Sequence, residues 1–504
     1  MGRGKRSARR IARSERRVSP LNAGLILAVV ILAALFVLES DDCYFVYWQY
    51  DSLADFLLTR PVTDEARIVG VPQNGRYLGN LLGVLLAKSY ETPLWFVRVV
   101  YFAGGLLLLA RAGACCVCPD RRREGTFLLL AVLILSFRGI WQEVYSWGAA
   151  YVNYVTPMVL ILLLPPLLRG DGNWSPGARR ALLAGLSFAA CLFLETTTIF
   201  LCLSALIALG FSWLTGRPGR GEALALAVGS VLGTAVMFTA PGYGAVGSDG
   251  LRELGLSLIG DSLTQTLVGT VVRPAPAALM ISCLLLRFLR RQGGTAWRWC
   301  GLAALPLYGI CLWSWGRDLA DPGLTVELPP ADGLLVGTGA ALAVLWVVML
   351  ALWKGRGRGR TAALAAALCL ISGPLLVLSV RGNRYFFPGY VILALVLLSL
   401  YDCAREEGMG PAVWTRVLAL TAAVALIGVY FGNCAVFRQR LDYGRELAEQ
   451  GAVQMTLPLL PFAGFARNEQ LWKGDLSYLI YRETPWDVAF TFVPFGQWPG
   501  WEET

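Results

Sequence analysis

Two consecutive carboxylates, Asp41 and Asp42, stand where the first long apolar run gives out, and Tyr44, Phe45, Tyr47, Trp48 and Tyr50 follow at once. Carboxylates at a water boundary suit general-base chemistry on a hydroxyl, and amphipathic rings settle at the headgroup depth of a bilayer. An acidic pair also serves simply to end a helix at a surface, and both readings stand. Isolated arginines form a second group: Arg76 in NGRY, Arg138 in FRGIW, Arg317 in WGRD, and Arg381 and Arg384 in RGNRYFF. The planar guanidinium fork matches phosphate oxygens two at a time, and an RxxR spacing near a helix end aims both forks at one group. Taken singly, each arginine also fits a snorkelling side chain or an ion pair with a nearby acid. A third group lies in WQEVYSWGAAYVNY, with Trp141, Glu143, Tyr145, Trp147, Tyr151 and Asn153. Aromatic faces with hydrogen-bonding groups between them suit sugar rings, and an interfacial aromatic belt is the competing reading. Glu195, in LETTT between two apolar runs, requires an ion-pair partner or a water cavity.

What must position these residues follows from composition. The 504 residues are 56% hydrophobic and 15% charged, with mean hydropathy +0.57, a balance no water-soluble core hides. The net charge of +10 comes from short Lys/Arg clusters between apolar runs, which is how cytoplasmic loops of membrane proteins are marked; no nucleic-acid partner is needed to explain it. The sequence has no histidine, which excludes Ser/His and Cys/His nucleophilic sites, His-ligated zinc and His proton shuttles. Most of the 12 cysteines lie inside apolar runs. Cys115, Cys116 and Cys118 lack further local metal ligands, and a Cys43–Cys434 disulfide is open on topology. No metal site is required, although a divalent cation between Asp41, Asp42 and Glu143 stays open.

The pattern predicts an all-α polytopic membrane protein of about thirteen transmembrane helices. A basic cytoplasmic arm (1–20) precedes a transmembrane domain (21–431) and a non-cytoplasmic C-terminal segment (432–504) expected to pack on the outer face. The predicted spans lie near 21–38, 94–112, 125–138, 154–168, 180–195, 197–214, 222–240, 270–290, 297–315, 333–353, 361–380, 387–402 and 413–431. Within the first outer loop (39–93), the stretch 74–90 is apolar but short and broken by glycine. If it spanned, the basic clusters at 121–123, 287–291 and 354–360 would face outward, so it is expected to be interfacial or re-entrant. The outer loops then gather the Trp, Tyr, Asn, acidic and isolated Arg residues. No internal repeat of the kind many transporters carry is evident.

An acidic pair beyond the first helix, a long first outer loop with two juxtamembrane helices, and further outer loops with arginine and aromatics resemble the GT-C superfamily of membrane glycosyltransferases. NGRYLGN, SWGAAYVNY, LETTT and the PG after the seventh span are similar to uncharacterised bacterial membrane families allied to O-antigen glucosyltransferases. The resemblance implies inverting transfer of a sugar from a polyprenyl-phosphate donor to a glycan or lipid acceptor of the cell envelope, at the outer face of the cell membrane. In that frame Asp41 or Asp42 matches the first-loop catalytic acid, Arg76, Arg381 and Arg384 are donor-phosphate candidates, and Arg138, Glu143, Trp147, Asn153 and Glu195 complete the substrate-binding set. The family pattern departs at PGYGAVGSDG, where Tyr243 replaces an expected Asn. Two other functions use the same residues: a transporter or flippase of a lipid-linked saccharide, and a non-catalytic envelope assembly protein.

Overall fold

A computed structural model describes residues 19–47, 74–90, 92–216, 219–240, 243, 258–320, 332–377, 382–410, 412–466, 476, 479–481 and 489–498. The N-terminal arm, Trp48, Tyr50 and Arg381 lie outside the described residues. The first helices in chain order are α1 (Pro20–Leu35), α2 (Asp41–Tyr47), α3 (Tyr77–Lys88), α4 (Trp95–Val117), α5 (Arg122–Ile134) and α6 (Arg138–Tyr145). They are followed by α7 (Gly148–Arg169), α8 (Pro176–Ala190), α9 (Glu195–Thr215), α10 (Arg220–Phe238), α11 (Ile259–Val272) and α12 (Ala275–Arg291). Next come α13 (Ala296–Ala320), α14 (Gly333–Leu352), α15 (Arg358–Leu376), α16 (Phe387–Glu406) and α17 (Val413–Glu449). A parallel pair of strands, β1 (Gln454–Pro458) and β2 (Ala489–Val493), closes the chain, with Gln454 opposite Ala489.

Local signals account for many of the boundaries. The Ser19 hydroxyl accepts from the Asn22 amide with Pro20 behind it, Ser175 does the same for Ala178 ahead of Pro176, and Asp332 caps α14 through the Leu334 amide. Helix α7 ends at Gly170, whose φ of 80° is the left-handed conformation that glycine adopts freely.

The chain is a multi-pass α-helical membrane protein. Among the described residues, eight helices are long and apolar enough to cross a membrane, or up to ten when each of two bent pairs is one span. Side chains such as Ile207, Leu214, Val344, Val347 and Val424 face outward without protein cover, as lipid-facing residues do. At the centre stands α16, whose whole apolar window is 100% buried. A helix occupies each of the thirteen expected positions, but three do not qualify as spans. Helices α1 and α8 have only 16 and 15 residues, and tryptophan and glycine dilute the apolar run of α13.

Three stretches differ from expectation. The 139–153 loop is helical and buried: α6 turns away from α5 by 95°, and α7 begins at Gly148 rather than near 154. The second bent pair, α11 with α12 at 68°, places helix inside the expected 241–269 loop. Finally, α17 runs unbroken for 37 residues, so the boundary expected near 431 falls inside one helix. By contrast α3 has 12 residues, about 18 Å at 1.5 Å per residue, too short for a hydrocarbon core of about 30 Å.

The C-terminal segment builds a second apolar core with the end of α1 and with α2, joining Val37, Leu38 and Cys43 to Cys434, Phe437, Leu441, Leu457 and Phe490. Cys43 and Cys434 share this core without a disulfide between them. The segment reaches the bundle through Gln142, whose amide donates to the Ala466 carbonyl at 2.9 Å.

The basic loops expected on one side do gather at one end of the bundle. Arg121 and Arg360 both bind Asp402, at 2.8 and 2.9 Å. Arg405 pairs with Glu124, Arg291 with Glu407, and Arg169 donates to the Cys115 and Cys116 carbonyls. The opposite ends of α4, α7 and α16 hold a different set of polar residues.

Candidate active site

At that other end, the turn before α3 is built on Asn74. Its side-chain oxygen accepts from the Arg76 amide at 3.1 Å and from the Asn80 side chain at 2.9 Å. Gly75 takes φ 65°, and a Cβ there would strike the Met237 carbonyl. The turn aims Arg76 at Glu195, at the start of α9, in a two-pronged pair: Nε lies 3.2 Å from each carboxylate oxygen and Nη2 lies 2.7 Å from Oε2. The Tyr243 hydroxyl donates to the same carboxylate at 2.8 Å and also meets the Asn74 carbonyl. NGRYLGN, LETTT and Tyr243, far apart in the chain, thus form one assembly. Burial alone would weaken the charge on Arg76; the Glu195 carboxylate more than compensates and holds its pKa above the ordinary value.

A second assembly forms where the bent helices meet the start of α16. Glu143, on α6 and buried, accepts from Asn383 Nδ2 at 3.0 Å, the Arg384 amide at 3.2 Å and Arg384 Nη1 at 3.4 Å. Arg273, at the α11–α12 bend, donates to Asn383, and Arg138 lies 3.6 Å from Asp318 of α13. Arg273 interacts electrostatically with Asp318, Glu143, Arg138 and Arg317. The Arg384 guanidinium rests over Trp147 at 5.5 Å and Tyr385 at 5.0 Å, a cation over two ring faces.

Tyr154 joins the two assemblies. Its ring is 1% exposed, and its hydroxyl is buried without a hydrogen-bond partner. Its charged electrostatic neighbours are Arg384 and Glu195 together with Arg76. Asn153, one residue back, donates its Nδ2 to the Ala149 carbonyl at 2.8 Å, and its Oδ1 is buried beside Gly79 with no donor. Asp318 Oδ2 is likewise buried and unpartnered. Among the described residues, Arg76, Arg138, Arg273 and Arg384 stand with Glu143, Glu195 and Asp318 across the two assemblies.

Asp42, expected as a proton acceptor, has another task. Its two oxygens accept from the Gly148 and Ala149 amides at 2.8 Å each, so it caps the start of α7 from outside that helix. The backbone of Asp41 opens α2 beside it, while its side chain lies outside the described residues. Asp42 and Glu143 each bind N–H donors of their own. Among the described residues no group of three or more potential metal ligands stands together.

No protein-family model matches this chain, and no curated protein matches it.

The structure therefore brings Arg76, Glu195, Glu143, Arg384, Trp147 and Arg138 into one continuous polar region and places Asn153 against it. Tyr154, Arg273, Asp318 and Asn383 were not singled out from the sequence. Tyr154 follows Asn153 in the same aromatic stretch and Asp318 follows Arg317 in WGRD, but nothing local distinguishes them. Only the bends in α5–α6 and α11–α12 bring their neighbours into reach.

Proposed function

We propose that this protein is a membrane glycosyltransferase that moves a sugar from a polyprenyl-phosphate donor to a cell-envelope glycan or lipid acceptor. In this reading all thirteen helices span, in a GT-C-like arrangement. The polar region faces the non-cytoplasmic side of the cell membrane, and the basic end faces the cytoplasm.

The observation that carries the reading is the Tyr154 hydroxyl, buried and unpartnered among Arg76, Arg384 and Glu195. Burying a hydroxyl without a partner costs about 1–3 kcal/mol, and a phosphate oxygen of the donor relieves that cost. The clustered guanidiniums suit a lipid phosphate, whose charge grows as it departs. Trp147 and Tyr385 offer ring faces to the sugar. In the transfer itself, the acceptor oxygen forms a bond to the anomeric carbon from the face opposite the phosphate. The bond from that carbon to the phosphate oxygen breaks with its electron pair, and the acceptor proton passes to a carboxylate. Because Asp42 is occupied by two amides, we assign the proton to Asp41, with Asp42 as its positioning neighbour.

The test is sugar transfer from labelled polyprenyl-phosphate donors by purified protein in nanodiscs. Loss of one donor to a developing oxyanion costs on the order of 100-fold in turnover, so Tyr154→Phe is expected to fall by that much with its melting temperature unchanged or raised. Asp41→Asn is expected to fall by at least about 100-fold. Full turnover in Tyr154→Phe overturns the reading.

A flippase is the second reading, because two helix pairs are broken at the polar region, as discontinuous helices are in transporters. It predicts that labelled lipid crosses proteoliposome membranes with its sugar still attached.

A further inference from the structure

Away from that region, a cleft of about 430 Å³ opens between α1, the first turn of α4 and the outer part of α17. Three arginines, Arg98, Arg438 and Arg445, and one acid, Asp442, line it. Arg98 decides its chemistry. The residue is 5% exposed and stacks over Tyr90 at 4.9 Å and Phe102 at 5.5 Å. Its Nε is buried with no hydrogen-bond partner. Asp42 and Glu39 are its acidic electrostatic neighbours. Asp42 spends its oxygens on the α7 amides, and Glu39 accepts from Ser146 at 3.3 Å. A guanidinium carries five donors in a fixed fork, so one buried against ring faces and opening on a cleft asks for a multi-oxygen acceptor.

We propose that this cleft binds the phosphate headgroup of an anionic membrane phospholipid, at a site separate from the transfer region. Phosphate oxygens dock on Arg98 with Arg438 beside it, while Arg445 donates to the Leu479 carbonyl at the edge of the cleft. A lipid is favoured over free phosphate because the other wall is apolar, formed by Ala33, Phe36 and Trp95. The start of α4 also leaves Leu94 and Trp95 each 55% exposed and Phe96 49% exposed, a surface against which acyl chains can lie. The inference does not depend on the glycosyltransferase reading, because binding is measured without transfer.

The experiment titrates the detergent-purified full chain with phosphatidylglycerol, phosphatidylcholine or inorganic phosphate, following thermal stability and the mass of the intact complex. Phosphatidylglycerol is expected to bind saturably, at least about tenfold tighter than phosphatidylcholine, while inorganic phosphate leaves the melting temperature unchanged. Arg98→Gln is expected to weaken phosphatidylglycerol by at least about tenfold. The exposed Arg438→Glu, which carries little folding risk, is expected to do the same, while Arg298→Glu on the distant α13 changes nothing. Equal binding of the two lipids overturns the proposal, as does unchanged affinity in Arg438→Glu or an equal loss in Arg298→Glu. Binding of inorganic phosphate with the same Arg98 dependence overturns the lipid assignment.

Discussion

Replacing Asp42 by alanine is the most direct probe of how the polar region is assembled. The side chain is 2% exposed, and its two oxygens hold the Gly148 and Ala149 amides at 2.8 Å. A hydrogen bond to an ionised group contributes about 1.5–3 kcal/mol net, and two such bonds give roughly 3–6 kcal/mol. Unfolded helices in a bilayer or micelle find other partners, so the lower end applies, about 3 kcal/mol for Asp42→Ala. Asp42→Asn keeps one carbonyl acceptor and is expected to lose about half of that. Reversible unfolding in mixed dodecyl maltoside and SDS micelles, followed by tryptophan fluorescence, reads both values. Sugar transfer per folded molecule is measured alongside and is expected to survive in Asp42→Asn far better than in Asp41→Asn. Two results refute the reasoning. Wild-type stability in Asp42→Ala removes the cap, and abolished transfer in a fully stable Asp42→Asn makes Asp42 itself the base.

Other substitutions test neighbouring contacts. Arg76→Ala and Glu195→Gln each break a pair whose side chains are 18% and 15% exposed, and a double-mutant cycle in the same unfolding assay is expected to return a coupling of about 1–3 kcal/mol. Gly79→Ala would drive a Cβ into Asn153 Oδ1, so it is expected to destabilise by about 1–3 kcal/mol, with Asn153→Ala in the same chain restoring much of the loss. At the basic end, Asp402→Ala leaves Arg121 and Arg360 without their shared carboxylate and is expected to lower the melting temperature while transfer per folded molecule stays within about twofold of wild type.

The helices were legible because lipid imposes a simple rule: apolar runs must satisfy their own backbone, and Ser-Pro or glycine marks where they begin and end. Ser19, Ser175 and Gly170 show that rule operating locally. The start of α7 was not legible, because its cap comes from Asp42, 106 residues earlier in the chain. The bends before α6 and after α11 escaped for a similar reason. Each lies beside a wide helical turn, Trp141–Tyr145 in α6 or Val268–Val272 in α11, that leaves no distinctive residue pattern. The continuation of α17 beyond 431 was hidden by its charges, which resemble the end of a span, although no proline interrupts the helix. In the polar region, the pairing of Arg76 with Glu195 was half legible. Each residue demanded a partner, but only the fold selects one from candidates separated by 119 positions.

The unbroken length of α17 has a mechanical consequence. Its 37 residues make a rod of about 55 Å, roughly 25 Å more than a hydrocarbon core of about 30 Å accommodates. A stiff strut of that kind carries any tilt of the bundle outward as a sideways swing, so bilayer thickness and the posture of the C-terminal strands are linked through a single element.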